Sequence, residues 1–130
     1  MDFKEYFEEF AAQAKIDKVA KRYKNRKIAL YGAGQFATIL FENYDLSKLN
    51  IVAVADIKFE NPETERNFFG LNCITPDEIR DFDCNLILIS NFNYNFFLRY
   101  LDNELLYRSK NAGVEIRPLI LLGFRDLFLK

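Results

Sequence analysis

The chain has 130 residues, of which 50% are hydrophobic and 28% are charged, and its formal net charge at pH 7 is −1. This composition excludes an intrinsically disordered chain and predicts one globular domain. The near-zero net charge provides no basic field that could hold a polyanion, so nucleic acid is not expected as a partner.

Two residue types narrow the chemistry further. The chain has no histidine, which removes the commonest general base and the usual serine or cysteine triads. Cys73 and Cys84 are too few for a zinc site, so we expect no metal and interpret them as partly buried thiols in a reducing cytoplasm. No segment has the length of a membrane span, and the N-terminus is too acidic for a signal peptide. We therefore expect a cytoplasmic protein without a membrane partner.

Residues 2–24 are predicted to be helical, as an extension ahead of the core. Phe3, Phe7 and Phe10 share one face, whereas the apolar residues around Ile16 repeat the helical spacing on nearly the opposite face. A straight helix with this pattern must be covered on two sides, or it breaks near residues 13–15. The phenylalanine face is a candidate contact for a homodimer, and packing on the same domain is the alternative.

The segment Lys27–Ala37 reads Lys-Ile-Ala-Leu-Tyr-Gly-Ala-Gly-Gln-Phe-Ala and predicts a buried strand, a glycine turn and the start of a helix. The spacing G-x-G-x-x-A is typical of turns that bind a phosphate group. Gly32 permits a tight turn, Gly34 leaves room for a phosphate beside the main chain, and the small Ala37 allows the helix to pack closely on the strand. The N–H groups at the helix start then face an anion.

Four further segments predict strands. They lie at residues 50–56, 70–74, 84–90 and 114–120. With the strand before the glycine turn, they predict an α/β fold: a three-layer, doubly wound, Rossmann-like parallel sheet of five strands, in the order 3-2-1-4-5, with an extra N-terminal helix. We expect a single domain over residues 1–130, with a helical extension at 1–25, the core at 26–120 and a C-terminal tail at 121–130.

The connections between these strands carry their own signals. Residues 57–70 have no helical pattern, so we expect a binding loop or a mobile loop. Thr75 and Glu78 can form a capping box with Pro76 at the first helical position, which predicts a short helix to about residue 81. A long helix is predicted over residues 91–110.

Ligands of such sheets bind beyond the carboxyl ends of the strands, where the first and fourth strands diverge. The glycine turn lies at that point, and its candidate cofactor-binding residues are Gly32, Ala33, Gly34, Gln35 and Phe36. Asp56 ends the second strand, where its carboxylate can accept hydrogen bonds from ribose hydroxyls and would repel the 2′-phosphate of NADP. Ser90 and Asn91 end the fourth strand and could contact a ribose or pyrophosphate. Asp56 could instead cap a turn, and Ser90 and Asn91 could cap the long helix.

The segment after the fourth strand is rich in aromatic residues. Phe92, Tyr94, Phe96, Phe97 and Tyr100 cannot all share one helix stripe. Some of them must cover the mouth of the site, pack on the N-terminal helix or contact another chain. No catalytic residue is predicted, because no Tyr-x-x-x-Lys sequence lies within one predicted helix and Gln35 stands where a P-loop lysine would be needed.

Four segments together resemble a known family. They are Lys27–Ala37, Ile51–Asp56, Gly70–Ile79 and Asp83–Ser90. Together they are similar to Rossmann-like domains of bacterial sugar-modifying enzymes: the N-terminal domain of sialic-acid-type sugar O- and N-acetyltransferases, and related modules beside glycosyltransferases and sugar C-methyltransferases. In the acetyltransferase relatives the glycine turn and the acid after the second strand help hold a nucleotide-sugar. The resemblance implies that role for Gly32, Gly34 and Asp56.

The resemblance covers about residues 26–120 and departs from the family at two points. The relatives often have a histidine base soon after the glycines, where this sequence has Gln35 and Phe36. They also continue into a left-handed β-helix that supplies acetyl-CoA binding, and this sequence contains no such repeat. The resemblance therefore implies the binding module without its catalytic half.

Three hypotheses follow from the sequence. The first is a nucleotide- or nucleotide-sugar-binding module that works with enzymes of bacterial glycan or polysaccharide biosynthesis and is not catalytic alone. The second is an NAD-dependent oxidoreductase, or a subunit of one, whose catalytic groups come from a partner chain. The third is a scaffold with a vestigial site. We expect the first, with a nucleotide-sugar or NAD as ligand and either a second copy or a glycan-biosynthesis enzyme as partner.

Overall fold

In a computed structural model, which describes residues 2–120, five parallel strands form one sheet in the predicted order β3-β2-β1-β4-β5. The strands are β1 (Ile28–Tyr31), β2 (Ile51–Ala55), β3 (Cys73–Ile74), β4 (Leu86–Ile89) and β5 (Glu115–Pro118). The four later strands are shorter than the segments that predict them. The predicted tail at 121–130 lies outside the described residues.

Helices cover both faces of the sheet. The helices are α1 (Phe3–Glu9), α2 (Ala12–Arg22), α3 (Gln35–Asn43), α4 (Pro76–Ile79) and α5 (Tyr94–Tyr100). Because successive strand residues point to opposite faces, Leu30 and Leu88 pack with α1–α3, whereas Ala29 and Ile87 pack with α4 and α5. Across residues 2–120, no helix is long and apolar enough to cross a membrane.

The N-terminal extension forms two helices. Ala11, between α1 and α2, adopts a left-handed conformation with φ 53° and ψ 57°. The break predicted near residues 13–15 therefore occurs slightly earlier. The turn brings both apolar stripes onto the same layer, so that Phe7 and Ile16 belong to one buried core cluster.

The phenylalanine face of α1 packs within the chain. The Phe7 ring lies edge-to-face with Phe36 of α3 at 5.0 Å and with Tyr44 at 6.2 Å. Phe3 makes a similar contact with Phe36 at 5.4 Å. The alternative of packing on the same domain thus accounts for this face. A homodimer through α1 stays a prediction. The phenylalanine face that suggested it already has partners within the chain.

The long helix predicted over residues 91–110 is wrong at both ends. The α-helix begins at Tyr94, and after Tyr100 it continues as a π-helical turn, Leu101–Leu105. Asn111, the residue after the predicted end of this helix, is buried, and its side-chain amide donates to the carbonyls of Ile79 at 2.7 Å and Phe82 at 2.9 Å. These tertiary hydrogen bonds require the chain to turn back after Leu105, so they override the local helical preference.

The two connections around β3 differ in how well they were predicted. Residues 57–70, expected to be a loop, begin with a 3₁₀-helix, Ile57–Glu60, and are anchored by the buried rings of Phe59 and Phe68. The capping box of Thr75 and Glu78 is confirmed, although α4 ends at Ile79, two residues earlier than predicted.

The buried position of Phe7 predicts a large effect on stability. Phe7→Ala should lower the free energy of unfolding by about 3–5 kcal/mol, because it removes a fully buried ring and leaves a cavity. Phe96→Ala is the matched control: the Phe96 side chain is 55% exposed, and its loss should cost about 1 kcal/mol or less. Urea denaturation measures both values, and equal losses would contradict the packing of α1.

Candidate functional site

The glycine turn connects β1 to α3 at the carboxyl edge of the sheet. Gly32 has φ 121°, and its N–H donates to the Ala55 carbonyl at 2.8 Å. A Cβ atom at Gly32 would lie 2.6 Å from the Ser90 carbonyl oxygen. The backbone angle and the close approach both require glycine. The interpretation of Gly32 as the glycine of a tight turn is therefore confirmed.

Gly34 plays a different part in the same turn. It is the N-terminal cap of α3, with φ −92° and ψ −157°, and a Cβ atom there would have no atom within 4 Å. The N–H groups of the first helical turn lack intrahelical acceptors, and glycine offers no side chain to cap them. Behind the turn, Ala37 is fully buried, as close packing of helix on strand requires. Gly34 thus leaves open space over the start of α3.

Both carboxylate oxygens of Asp56 accept hydrogen bonds from main-chain N–H groups. Its Oδ2 accepts the Ala33 N–H at 2.7 Å, and its Oδ1 accepts the Lys58 N–H at 3.0 Å. The predicted alternative, that Asp56 caps a turn, is confirmed, since it is the N-terminal cap of the 3₁₀-helix. The carboxylate also ties the glycine turn to the end of β2. Each oxygen keeps a second lone pair for another donor.

Ser90 and Asn91 do not cap α5. The N-terminal cap is Asn93, and the Asn91 Oδ1 accepts the Asn93 N–H at 2.9 Å. Ser90 is buried, and its Oγ donates to the Gly32 carbonyl at 2.6 Å. The cap interpretation is wrong because the chain runs through a turn before α5 begins. Ser90 supports the glycine turn from behind.

A cleft of about 450 Å³ lies where β1 and β4 diverge, within the size range of small-molecule sites. Its lining residues are Tyr31, Gly32, Asp56, Ile57, Asn91, Phe96, Phe97 and Tyr100. The structure therefore brings together three of the predicted site residues, namely Gly32, Asp56 and Asn91. The other five do not line the cleft: Ala33, Phe36 and Ser90 are buried, whereas Gly34 and Gln35 are exposed at the start of α3.

The cleft has an aromatic wall contributed by β1 and α5. The rings of Tyr31 and Phe97 lie 5.7 Å apart, and Phe96 meets Phe97 edge-to-face at 5.1 Å. Ile57, from the 3₁₀-helix, is 69% exposed. Large apolar side chains that stay exposed in a concave surface suit a flat, apolar part of a ligand. The aromatic cluster after β4 was the sequence signal for this wall.

Tyr31, which lines the cleft, has a strongly perturbed pKa. Burial raises the pKa of Tyr31 far above its ordinary value, and the neighbouring Tyr100 and Asp56 add to the rise, so Tyr31 stays protonated at neutral pH. Burial likewise raises the pKa of the thiols of Cys73 and Cys84, both of which are free. Among the residues described, no group of three or more His, Cys, Asp or Glu could hold a metal ion.

Sequence reasoning missed Lys58. Its Nζ donates to the Ala33 carbonyl, and it lies over the rings of Phe59 at 5.4 Å and Phe68 at 5.5 Å. No spacing pattern marks this residue, because it reaches the glycine turn from the connection after β2. Its only sequence signal is its place two residues after Asp56.

Comparison with known protein families, curated proteins and solved structures gives no match for this chain. The resemblance to domains of sugar-modifying enzymes therefore gains no support from a relative.

Alanine substitutions at the two glycines of the turn should differ strongly in their effect on stability. Gly32→Ala should lower the free energy of unfolding by about 3 kcal/mol, because the new Cβ would meet the Ser90 carbonyl and the backbone angle would be strained. Gly34→Ala should change it by less than about 1 kcal/mol, since the added methyl has open space. Urea denaturation of both variants checks this, and a large loss in Gly34→Ala would contradict the open geometry.

The raised pKa of Tyr31 predicts that stability falls at alkaline pH. In the unfolded chain this phenol ionises near its ordinary value of 10.0, whereas in the folded protein it stays protonated. Its contribution is therefore fully present below pH 10 and is lost as the pH rises further. Denaturation at about pH 9 and about pH 11 should show a smaller loss in Tyr31→Phe than in the wild type. Tyr107→Phe, at an exposed ring, is the control and should lose as much as the wild type.

Proposed function

We propose that this chain binds a nucleotide or nucleotide-sugar at the carboxyl edge of its sheet, as a module of bacterial glycan or polysaccharide biosynthesis that is not catalytic alone. The observation that carries the proposal is the cleft of about 450 Å³ at the point where β1 and β4 diverge. Ligands of open parallel sheets bind at this point. The biosynthetic context is supported by the sequence resemblance alone.

Each part of such a ligand would meet a suitable surface. A phosphate group would lie over Gly34, where open space adjoins the uncapped start of α3. Ribose hydroxyls would donate to the remaining lone pairs of Asp56. A base or sugar ring would lie against the aromatic wall at Phe96 and Phe97. The negative charge of Asp56 would disfavour the 2′-phosphate of NADP.

The cleft supports holding a ligand more than transforming it. Its titratable side chains are Tyr31, Tyr100 and Asp56. Tyr31 stays protonated at neutral pH, and no lysine belongs to the residues that line the cleft. A hydride-transfer enzyme using NAD would need its catalytic groups from a partner chain, so the oxidoreductase hypothesis is the weaker one.

One observation favours the scaffold hypothesis as a second candidate. Asp56 and Ser90 already make hydrogen bonds to the turn itself, so the turn is stable without a ligand. In a scaffold, the same contacts would serve only to connect β1, β2 and β4. Ligand binding separates the two candidates.

A thermal-shift screen of UDP-sugars, ADP, NAD, NADP and CoA tests the proposal. We expect UDP-sugars or ADP to raise the melting temperature, because a ligand that binds only the folded chain stabilises it. Gly34→Val should abolish this rise, since its side chain would fill the space over the start of α3. Phe96→Ala should reduce it, whereas Phe69→Ala, an exposed ring that does not line the cleft, should not.

The outcomes divide the hypotheses. Stabilisation by NAD but not by UDP-sugars would favour the oxidoreductase hypothesis. If none of these compounds stabilises the wild type, the nucleotide-binding proposal fails and the scaffold candidate stands. If Gly34→Val responds like the wild type, the ligand binds elsewhere and the proposed site is wrong.

A further inference from the structure

Three side chains from two connections, Asp56 and Lys58 after β2 and Ser90 after β4, hold the two peptide groups that follow Gly32. The Gly32 carbonyl accepts the Ser90 Oγ hydrogen at 2.6 Å, and the Ala33 N–H donates to Asp56 at 2.7 Å. The Ala33 carbonyl accepts a hydrogen bond from Lys58 Nζ. Both groups of the first peptide and the carbonyl of the second are therefore fixed by side chains.

This arrangement determines where the Gly34 N–H points. A peptide group is planar and trans, so its N–H points opposite to its carbonyl. Because Lys58 holds the Ala33 carbonyl, the Gly34 N–H is directed away from Lys58. Within the described part of the chain, no acceptor takes this N–H. It is the first N–H of the turn left for a ligand, because Gly32 donates to Ala55 and Ala33 donates to Asp56.

Lys58 is itself held in place. Its ammonium lies over the rings of Phe59 and Phe68, and cation–π contacts with both rings oppose its movement. It forms no ion pair with a carboxylate of residues 2–120, so none of those carboxylates competes with the Ala33 carbonyl. It does not line the cleft. Its position fits a contact with the main chain of the turn.

We propose that Lys58 is a positioning residue for phosphate binding: it orients the Ala33–Gly34 peptide so that the Gly34 N–H faces the ligand phosphate, without contacting the ligand. This inference rests on the proposed nucleotide site. Lys58 would therefore act on phosphate binding indirectly. A P-loop lysine, in whose place this chain has Gln35, would contact the phosphate directly.

The test uses one readout without ligand and one with ligand. The first is the amide NMR signal of Gly34 in the wild type, Lys58→Met and Lys58→Arg. The second is the affinity for ADP, inorganic pyrophosphate and adenosine, measured by calorimetry. Lys58→Met should shift the Gly34 signal and weaken ADP and pyrophosphate about tenfold, the effect of one lost oriented hydrogen bond. Adenosine, which has no phosphate, should bind as it does to the wild type.

Two variants make this test specific. Lys58→Arg can still donate to the Ala33 carbonyl, so it should retain most of the wild-type affinity and the wild-type Gly34 signal. Lys48→Met removes the same charge before β2, at the opposite end of the sheet, and should leave both readouts unchanged. Melting temperatures of all variants confirm that each of them folds.

The results that would overturn the inference are distinct from those that would overturn the proposed function. Unchanged pyrophosphate affinity in Lys58→Met overturns the positioning role. Weaker binding with an unmoved Gly34 signal also overturns it, because Lys58 would then act through its charge. If the wild type binds neither ADP nor pyrophosphate and no compound of the thermal-shift screen stabilises it, the proposed function fails, and the Gly34 signal alone decides whether Lys58 orients the peptide.

Discussion

The close approach of the Gly32 main chain to the Ser90 carbonyl is the constraint on which this structure depends. It joins the ends of β1 and β4, the neighbouring strands whose following connections leave on opposite faces of the sheet. Any side chain at Gly32 would push these strand ends apart. Because the two main chains touch, the Ser90 hydroxyl reaches the Gly32 carbonyl, and the cleft opens directly above this contact. The position of the site thus follows from a single steric requirement.

Two groups of aromatic residues serve separate uses on the two faces of the sheet. On one face of the sheet, rings of α1 pack against Phe36 and Tyr44 and attach the N-terminal extension to α3. On the other face, Phe96 and Phe97 form a wall of the cleft. Aromatic rings suit both uses because they bury a large apolar area with few rotatable bonds. These aromatic residues therefore attach α1 to the domain and line the cleft, and both contacts lie within one chain.

The sequence was most informative where a feature depends on local chemistry. The strand, turn and helix around Gly32 and the capping box at Thr75 are set by backbone angles and hydrogen bonds within a few residues, and the structure has them as predicted. Alternating strands and helices were also sufficient for the strand order. Helix ends were predicted poorly, because the break at Ala11 and the early end of α5 depend on packing across the domain. Lys58 was missed for the same reason: its partner is a carbonyl 25 residues away.

The ring of Phe92 lies between the aromatic residues of α1 and the segment that lines the cleft. It contacts Phe3 at 5.8 Å and Tyr6 at 6.4 Å, and it directly follows Asn91, which lines the cleft. Attachment of α1 and order in the β4–α5 connection are therefore thermodynamically linked, since each supplies part of the surface that the other needs. By reciprocity, a molecule that orders this connection would also protect the amides of α1 from hydrogen exchange. Through the ring of Phe92, the N-terminal helix thus contacts the segment that forms the rim of the cleft.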